Sequence, residues 1–248
     1  MFTSVLLASG VGCRPAAEDQ IVESTKADEA DVIDGPIEIV ATVEIVADLL
    51  KEIGGNRVRV TSLHGNNTDI FLYQPSQDDI DRLAGVDVLF YVARSVDRWV
   101  QMYELTQIHR PKVASIMEYM DATHLGVGMD PFVRMNPLVL DKTLDSIVRV
   151  LIEVDPEGKP LFRKNASIYR DRLSRMYEYG KQCLATVPPG NRTLATSTEV
   201  FYHFGDAYRL TTVGVRKPRF SAEPQSEELD KFVDLLIKHD ATTVFKVA

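Results

Sequence analysis

The chain is poor in cysteine. Two in 248 residues, Cys13 and Cys183, cannot build a disulfide framework. Long apolar runs are missing too, and none reaches the ~20 residues a helix needs to cross a bilayer. Positive charge is in deficit, 28 Lys and Arg against 36 Asp and Glu, for a net charge of −8. That balance argues against nucleic acid as a partner. The common enzyme signatures are absent: no glycine-rich phosphate loop, no G-x-S-x-G and no H-E-x-x-H. Gly126 and Gly128 follow no strand signal and lack the later glycine of a dinucleotide loop. The reading is therefore of a chain that is not an enzyme. No repeat of fixed period and no low-complexity tract organises it.

What is there centres on one stretch, residues 155–188. Asp155-Pro156-Glu157 is a helix start: Asp accepts from free N–H groups, Pro suits the first turn, and Glu complements the dipole. Pro188-Pro189-Gly190 is a stop. Between them Phe162, Ala166, Tyr169, Leu173, Met176, Gly180, Cys183 and Val187 recur at alternating spacings of four and three, a single stripe. Cys183 lies on that stripe and reads as a core residue. A helix of this length, about 45–50 Å, suits a strut between two bodies.

Strand and helix signals alternate on both sides of the strut. Before it come strands at Ile37–Val43, Val58–Leu63, Val86–Val92 and Lys112–Ile116. Helices are expected at Ile45–Ile53, Ser76–Leu83, Arg94–Thr106 and from Pro137 through Leu151. After it come strands at Thr193–Ser197, Leu210–Val215 and Thr242–Val247, with helices at Glu199–Tyr208 and Ser226–His239. The continuous apolar run Val86–Val92 is that of a strand buried on both faces. Such alternation predicts an α/β fold with parallel sheets. The expected organisation is a leader and tether at 1–36, an α/β lobe at 37–154, a linking helix at 155–188 and a second, short α/β lobe at 189–248. At around 60 residues the second lobe is marginal for an independent core.

The first 36 residues differ from the rest. Residues 14–36 carry seven acids and two bases, show no hydrophobic period and end at Gly35-Pro36, the pattern of a tether. Before them Phe2 to Gly12 is a short apolar and small-residue run ending at Cys13. This resembles a bacterial lipoprotein signal, which implies lipidation of Cys13, export, and a place in the cell envelope, periplasmic or extracytoplasmic.

Several segments, in order, carry a wider resemblance. They are Ile39-Val40-Ala41-Thr42 with Ile45 to Leu49; Ile53-Gly54-Gly55-Asn56 through Leu63; and Asp69 through Tyr73-Gln74-Pro75. They continue with Leu89-Phe90-Tyr91 and Trp99; Asp130-Pro131; Ala195-Thr196-Ser197 through Phe201, Phe204 and Tyr208; and Ser221-Ala222-Glu223-Pro224. Over residues 37–248 the chain resembles the zinc- and manganese-type solute-binding lipoproteins of bacterial ABC uptake transporters. The resemblance implies two parallel-sheet lobes joined by one long rigid helix, with the second lobe lacking its final strand and helix. It also implies an ABC permease in the membrane as partner, a lipid anchor, and a monomer.

It implies ligand positions as well, and there the chain departs from the family. The family holds its metal with three side chains, usually histidines, and a late carboxylate. Those three positions are Phe71, Phe132 and Thr198 here, and the fourth falls beyond Ala248. Ile70 follows Asp69 where the family has Pro, and Arg134 and Asn136 stand for a family Trp and Asp. Zinc wants about four N, O or S donors, which Phe cannot supply. Glu199 and His203 are weak substitutes. Asp69 and Asp130 read as loop caps, and His64, His109, His124 and His239 as ordinary histidines. The expectation is an extracytoplasmic solute-binding protein with a degenerate metal site, no resident cofactor, and zinc or manganese as cargo only if the family function survives. The alternative is a membrane-tethered relative that binds another ligand or a protein partner. Arg216, Lys217 and Arg219 read as a solvated basic cluster.

Overall fold

The computed structural model describes residues 35–64, 70, 72–106, 111–117, 132, 135–215 and 223–246. Cys13, the tether to residue 34, Asp69, Phe71, Gly126, Gly128, Asp130, Arg134 and the 216–219 cluster lie outside them.

The first sheet has four parallel strands: β1 (Ile37–Val43), β2 (Val58–His64), β3 (Val88–Tyr91) and β4 (Lys112–Ser115), in the order β2-β1-β3-β4. Ile37 pairs with Val58 and Val43 with His64 on one side of β1, and Ile39 pairs with Val88 on the other. β3 is buried along its whole length, as its unbroken apolar run requires of a strand covered on both faces. Helix α1 (Glu44–Gly54) turns Val46, Leu49, Leu50 and Ile53 inward. Helix α2 (Gln77–Leu83) opens with a capping box, the Asp79 N–H donating to Ser76 Oγ (3.2 Å) and the Ser76 N–H to Asp79 Oδ2 (2.9 Å). Burial acts to raise the Asp79 pKa, but hydrogen bonds from Ser76, Tyr73 and Arg82 outweigh it and hold the carboxyl at about 2. Helix α3 (Trp99–Thr106) starts later than the expected Arg94. Residues 92–97 form turns there, closed on the Asp97 carboxylate by the N–H groups of Val92 (2.9 Å) and Ala93 (3.3 Å).

Helix α4 (Pro137–Val154) packs Leu140, Leu144, Ile147 and Leu151 into the same core. It ends at Asp155, which starts the next element by accepting from the Gly158 N–H (3.1 Å) across a 3-10 turn, Pro156–Gly158. That turn runs into α5 (Lys159–Ala185), 27 residues or about 40 Å long. Asp155 also receives a bidentate pair from Arg57, whose Nη2 lies 2.7 Å from Oδ1. The Arg57 hydrogen bond keeps the Asp155 carboxyl below its ordinary range.

The second sheet has three parallel strands, β5 (Thr193–Thr196), β6 (Thr211–Gly214) and β7 (Val244–Phe245), in the order β6-β5-β7. Its helices are α6 (Tyr202–Tyr208) and α7 (Ser226–Lys238), and its core gathers Ala195, Val213, Val215 and Phe232. Helix α6 starts three residues later than the expected Glu199. Residues 197–199 bend, with the Val200 N–H donating to the Thr198 carbonyl (2.9 Å) and the Glu199 N–H to Val215 (3.1 Å). β7 is two residues long, shorter than the expected 242–247.

The stripe on α5 is used in two ways. Phe162, Ala166 and Leu173 are buried in the first core with Tyr169 against it. Beyond Leu173 the expectation fails at two places: Met176 is exposed and Cys183 is exposed, not core. Their neighbours Tyr177 and Leu184 are half-buried instead. Tyr177 stacks on Tyr208 of α6 (centroids 5.4 Å apart), and the Leu184 carbonyl accepts from Arg192 (2.8 Å). One residue of helix turns the face by about 100°, so the second lobe meets α5 from a direction that the stripe alone does not define.

Candidate functional site at the carboxyl ends of the strands

In an open parallel sheet ligands bind beyond the carboxyl ends of the strands, where the strand order switches. Here β1 leads to β2 on one side and has β3 on the other, so the switch lies at Thr42-Val43 and Val92-Ala93. Phe71 follows β2, Phe132 follows β4 and Thr198 follows β5. Thr198, directly after β5, falls at a carboxyl end, and Phe71 lies outside the described residues.

Phe132 is half-buried. Thr198 is half-buried and its carbonyl is engaged, accepting from Thr196 Oγ1 (2.8 Å) as well as from Val200. Gly214 of β6 backs this bend: a Cβ there would stand 2.7 Å from the Glu199 nitrogen. Only a glycine lets the 198–199 backbone lie so close. Glu199 is exposed, whereas His203 is 6% exposed, with its ring edge-on to Tyr202 (5.4 Å). Glu199 lies outside the helix, so its relation to Thr198 is set by the bend and not by a helical step. Among the described residues no three His, Cys, Asp or Glu side chains gather as a metal would require.

Sequence reasoning missed two features of this region. The first is Asp97, 2% exposed at the switch point. Burial pushes its carboxyl up to about 6, against the lowering effect of the Thr42 hydroxyl and of the Val92 and Ala93 N–H groups. The Thr42 hydroxyl faces it without completing a hydrogen bond of normal geometry. An Asp between Val96 and Trp99, both buried, was the available signal. The second is the role of Asn136, named above only as the stand-in for a family Asp and 3% exposed here. It caps α4, its Oδ1 accepting from the Leu138 N–H (3.0 Å), and its Nδ2 reaches Asp206 Oδ2 of α6 at 3.4 Å. The Asn-Pro pair announced the cap. Nothing in the sequence announced Asp206, 70 residues away.

The profile of the family described as "Zinc-uptake complex component A periplasmic", ZnuA, matches residues 39–247. The manganese-binding lipoprotein MntA of Bacillus subtilis is 26% identical over 217 residues, 86% of this chain and 71% of that protein. The manganese ABC transporter substrate-binding lipoprotein PsaA of Streptococcus pneumoniae is 21% identical over 224 residues, 84% of this chain and 71% of that one. Among solved structures, the periplasmic zinc-binding protein TroA of Treponema pallidum superposes with a TM-score of 0.76 at 18% identity, covering 86% of this chain and 78% of the other. At that identity the likeness establishes the fold: mixed α/β, parallel sheets, one long helix.

Proposed function

Because the chain belongs to the zinc-uptake component A family of metal ABC transporter substrate-binding proteins, we propose that it is an extracytoplasmic solute-binding component whose transition-metal site has degenerated. The observation that carries this reading is the side-chain chemistry at the three family positions, Phe71, Phe132 and Thr198. A phenyl ring offers no lone pair, and a threonine hydroxyl is a poor partner for zinc or manganese. Glu199 and His203 differ in exposure, one open to solvent and the other nearly sealed, and two donors fall short of a tetrahedral set. The scaffold is kept while the donors are replaced, and function resides in the donors.

The same reading supplies the setting. The relatives named above are lipoproteins, which supports a lipid anchor at Cys13 and a place at the outer face of a membrane. An ABC permease is the partner that such a component serves, and the chain acts as a monomer. Among the described residues no helix is long and apolar enough to cross a membrane.

Calorimetric titration with zinc and with manganese tests the proposal. The expected outcome is no stoichiometric binding tighter than micromolar for either ion. Submicromolar one-to-one binding overturns it and restores metal cargo as the function.

A further inference from the structure

We propose that Asn136 and Asp206 form a clasp that fastens the two lobes by a contact within the protein itself. The proposal rests on the reading of a degenerate transition-metal site. In the family the chain resembles, the metal is held in a cleft between the two lobes, by segments from both. Two of those segments here are tied directly. Asn136 lies four residues after Phe132, at the start of α4, and Asp206 lies eight residues after Thr198, on α6.

The geometry gives Asn136 two tasks at once. Its Oδ1 is committed to the Leu138 N–H, and its backbone carbonyl accepts from Val139 (3.1 Å) and Leu140 (3.0 Å). That fixes the side chain at 3% exposure and aims the amide Nδ2 at the Asp206 carboxylate, 3.4 Å away. A hydrogen bond to an ionised acceptor is stronger than a neutral one. The acceptor is held in turn. Tyr208, two residues on, stacks on Tyr177 and packs on Gly180 of α5, where a Cβ would come within 2.6 Å of its hydroxyl. Tyr177 Oη reaches the Ala207 carbonyl at 3.4 Å. Helix α6 is thereby keyed to α5 on one side and to the start of α4 on the other. The amide also selects its partner: an Asp at 136 keeps the helix cap but sets two carboxylates face to face.

Paired spin labels read the clasp. They are placed at Gln101→Cys on α3 and Asp230→Cys on α7, both exposed, in the full chain with Cys13→Ser and Cys183→Ser and with chelator present. The parent gives one narrow distance distribution. Asn136→Asp, which preserves capping, broadens it and shifts it to longer distances. Adding Asp206→Asn to that variant rebuilds the pair with its polarity reversed and restores the narrow distribution. Asp206→Ala, which leaves the α4 cap untouched, broadens it as Asn136→Asp does. Distributions unchanged in Asn136→Asp or Asp206→Ala, or a double variant as open as Asn136→Asp, overturn the clasp. Because the labels are read without metal, this failure is distinct from failure of the degenerate-site reading, which the metal titration of the unaltered chain decides.

Discussion

Asp97 shows how much one residue holds. Its carboxylate closes the turn between β3 and α3 by accepting two backbone N–H groups, yet it sits almost out of contact with water. Burial raises its pKa from 3.8 to about 6. The sign follows from linkage: the folded state binds the proton more tightly than the unfolded one, so this group favours folding most below pH 3.8. That contribution is lost as the pH rises through about 6. A displacement of about two pH units is worth roughly 3 kcal/mol. Asp97→Asn removes the charge and retains an acceptor. Its unfolding free energy relative to the parent is expected to rise by roughly 3 kcal/mol between pH 4 and pH 8. Urea unfolding at the two pH values reads this directly, and a difference independent of pH refutes the assignment. Asn136 illustrates a complementary point: its cap was legible in the Asn-Pro pair, whereas its partner needed the fold.

Helix α5 is the element on which both sheets depend, and it does so by two different means. Its start is fixed to the first lobe by Arg57 and Asp155, and by Phe162, which packs so close to Gly158 that a Cβ there would lie 2.4 Å from the ring. Beyond Leu173 it is exposed except at Tyr177, Gly180 and Leu184, on the side of the second lobe. Gly180 is the close approach: a methyl there would stand 2.6 Å from the Tyr208 hydroxyl. Gly180→Ala gains helix propensity, roughly 1 kcal/mol on an open surface, but must displace Tyr208 from its stack. Overpacking of this kind costs about 1–3 kcal/mol, so a net loss of stability is expected, confined to the second lobe. Amide exchange resolved by segment checks this, with faster exchange in β5, α6 and β6 and no change in β1 and β3. Faster exchange in the first lobe as well would show that α5 transmits the damage.

At the scale of the whole molecule, the fold sets Thr198 just beyond the carboxyl end of β5, on the scaffold of the zinc-uptake component A family. The proposed place at a membrane surface rests on Cys13. Cells fed a clickable fatty acid are expected to label the full chain, with the label lost in Cys13→Ala; retained label in that variant refutes an anchor at Cys13. The sequence alone determined the α/β class, the parallel strands, the two ends of the long helix and the family, since each is written in local periodicity, caps and breakers that need no partner. The tertiary structure decided which face of α5 the second lobe uses, leaving Cys183 exposed and burying part of Tyr177. It decided that residues 197–199 bend before α6 begins, since the Glu199 N–H finds its acceptor at Val215 on a neighbouring segment. It also brought Asn136 to Asp206. The physical reason is common to all three. Periodicity records that a residue is apolar along its own element, whereas direction of approach and hydrogen-bond partners depend on chain tens of residues away.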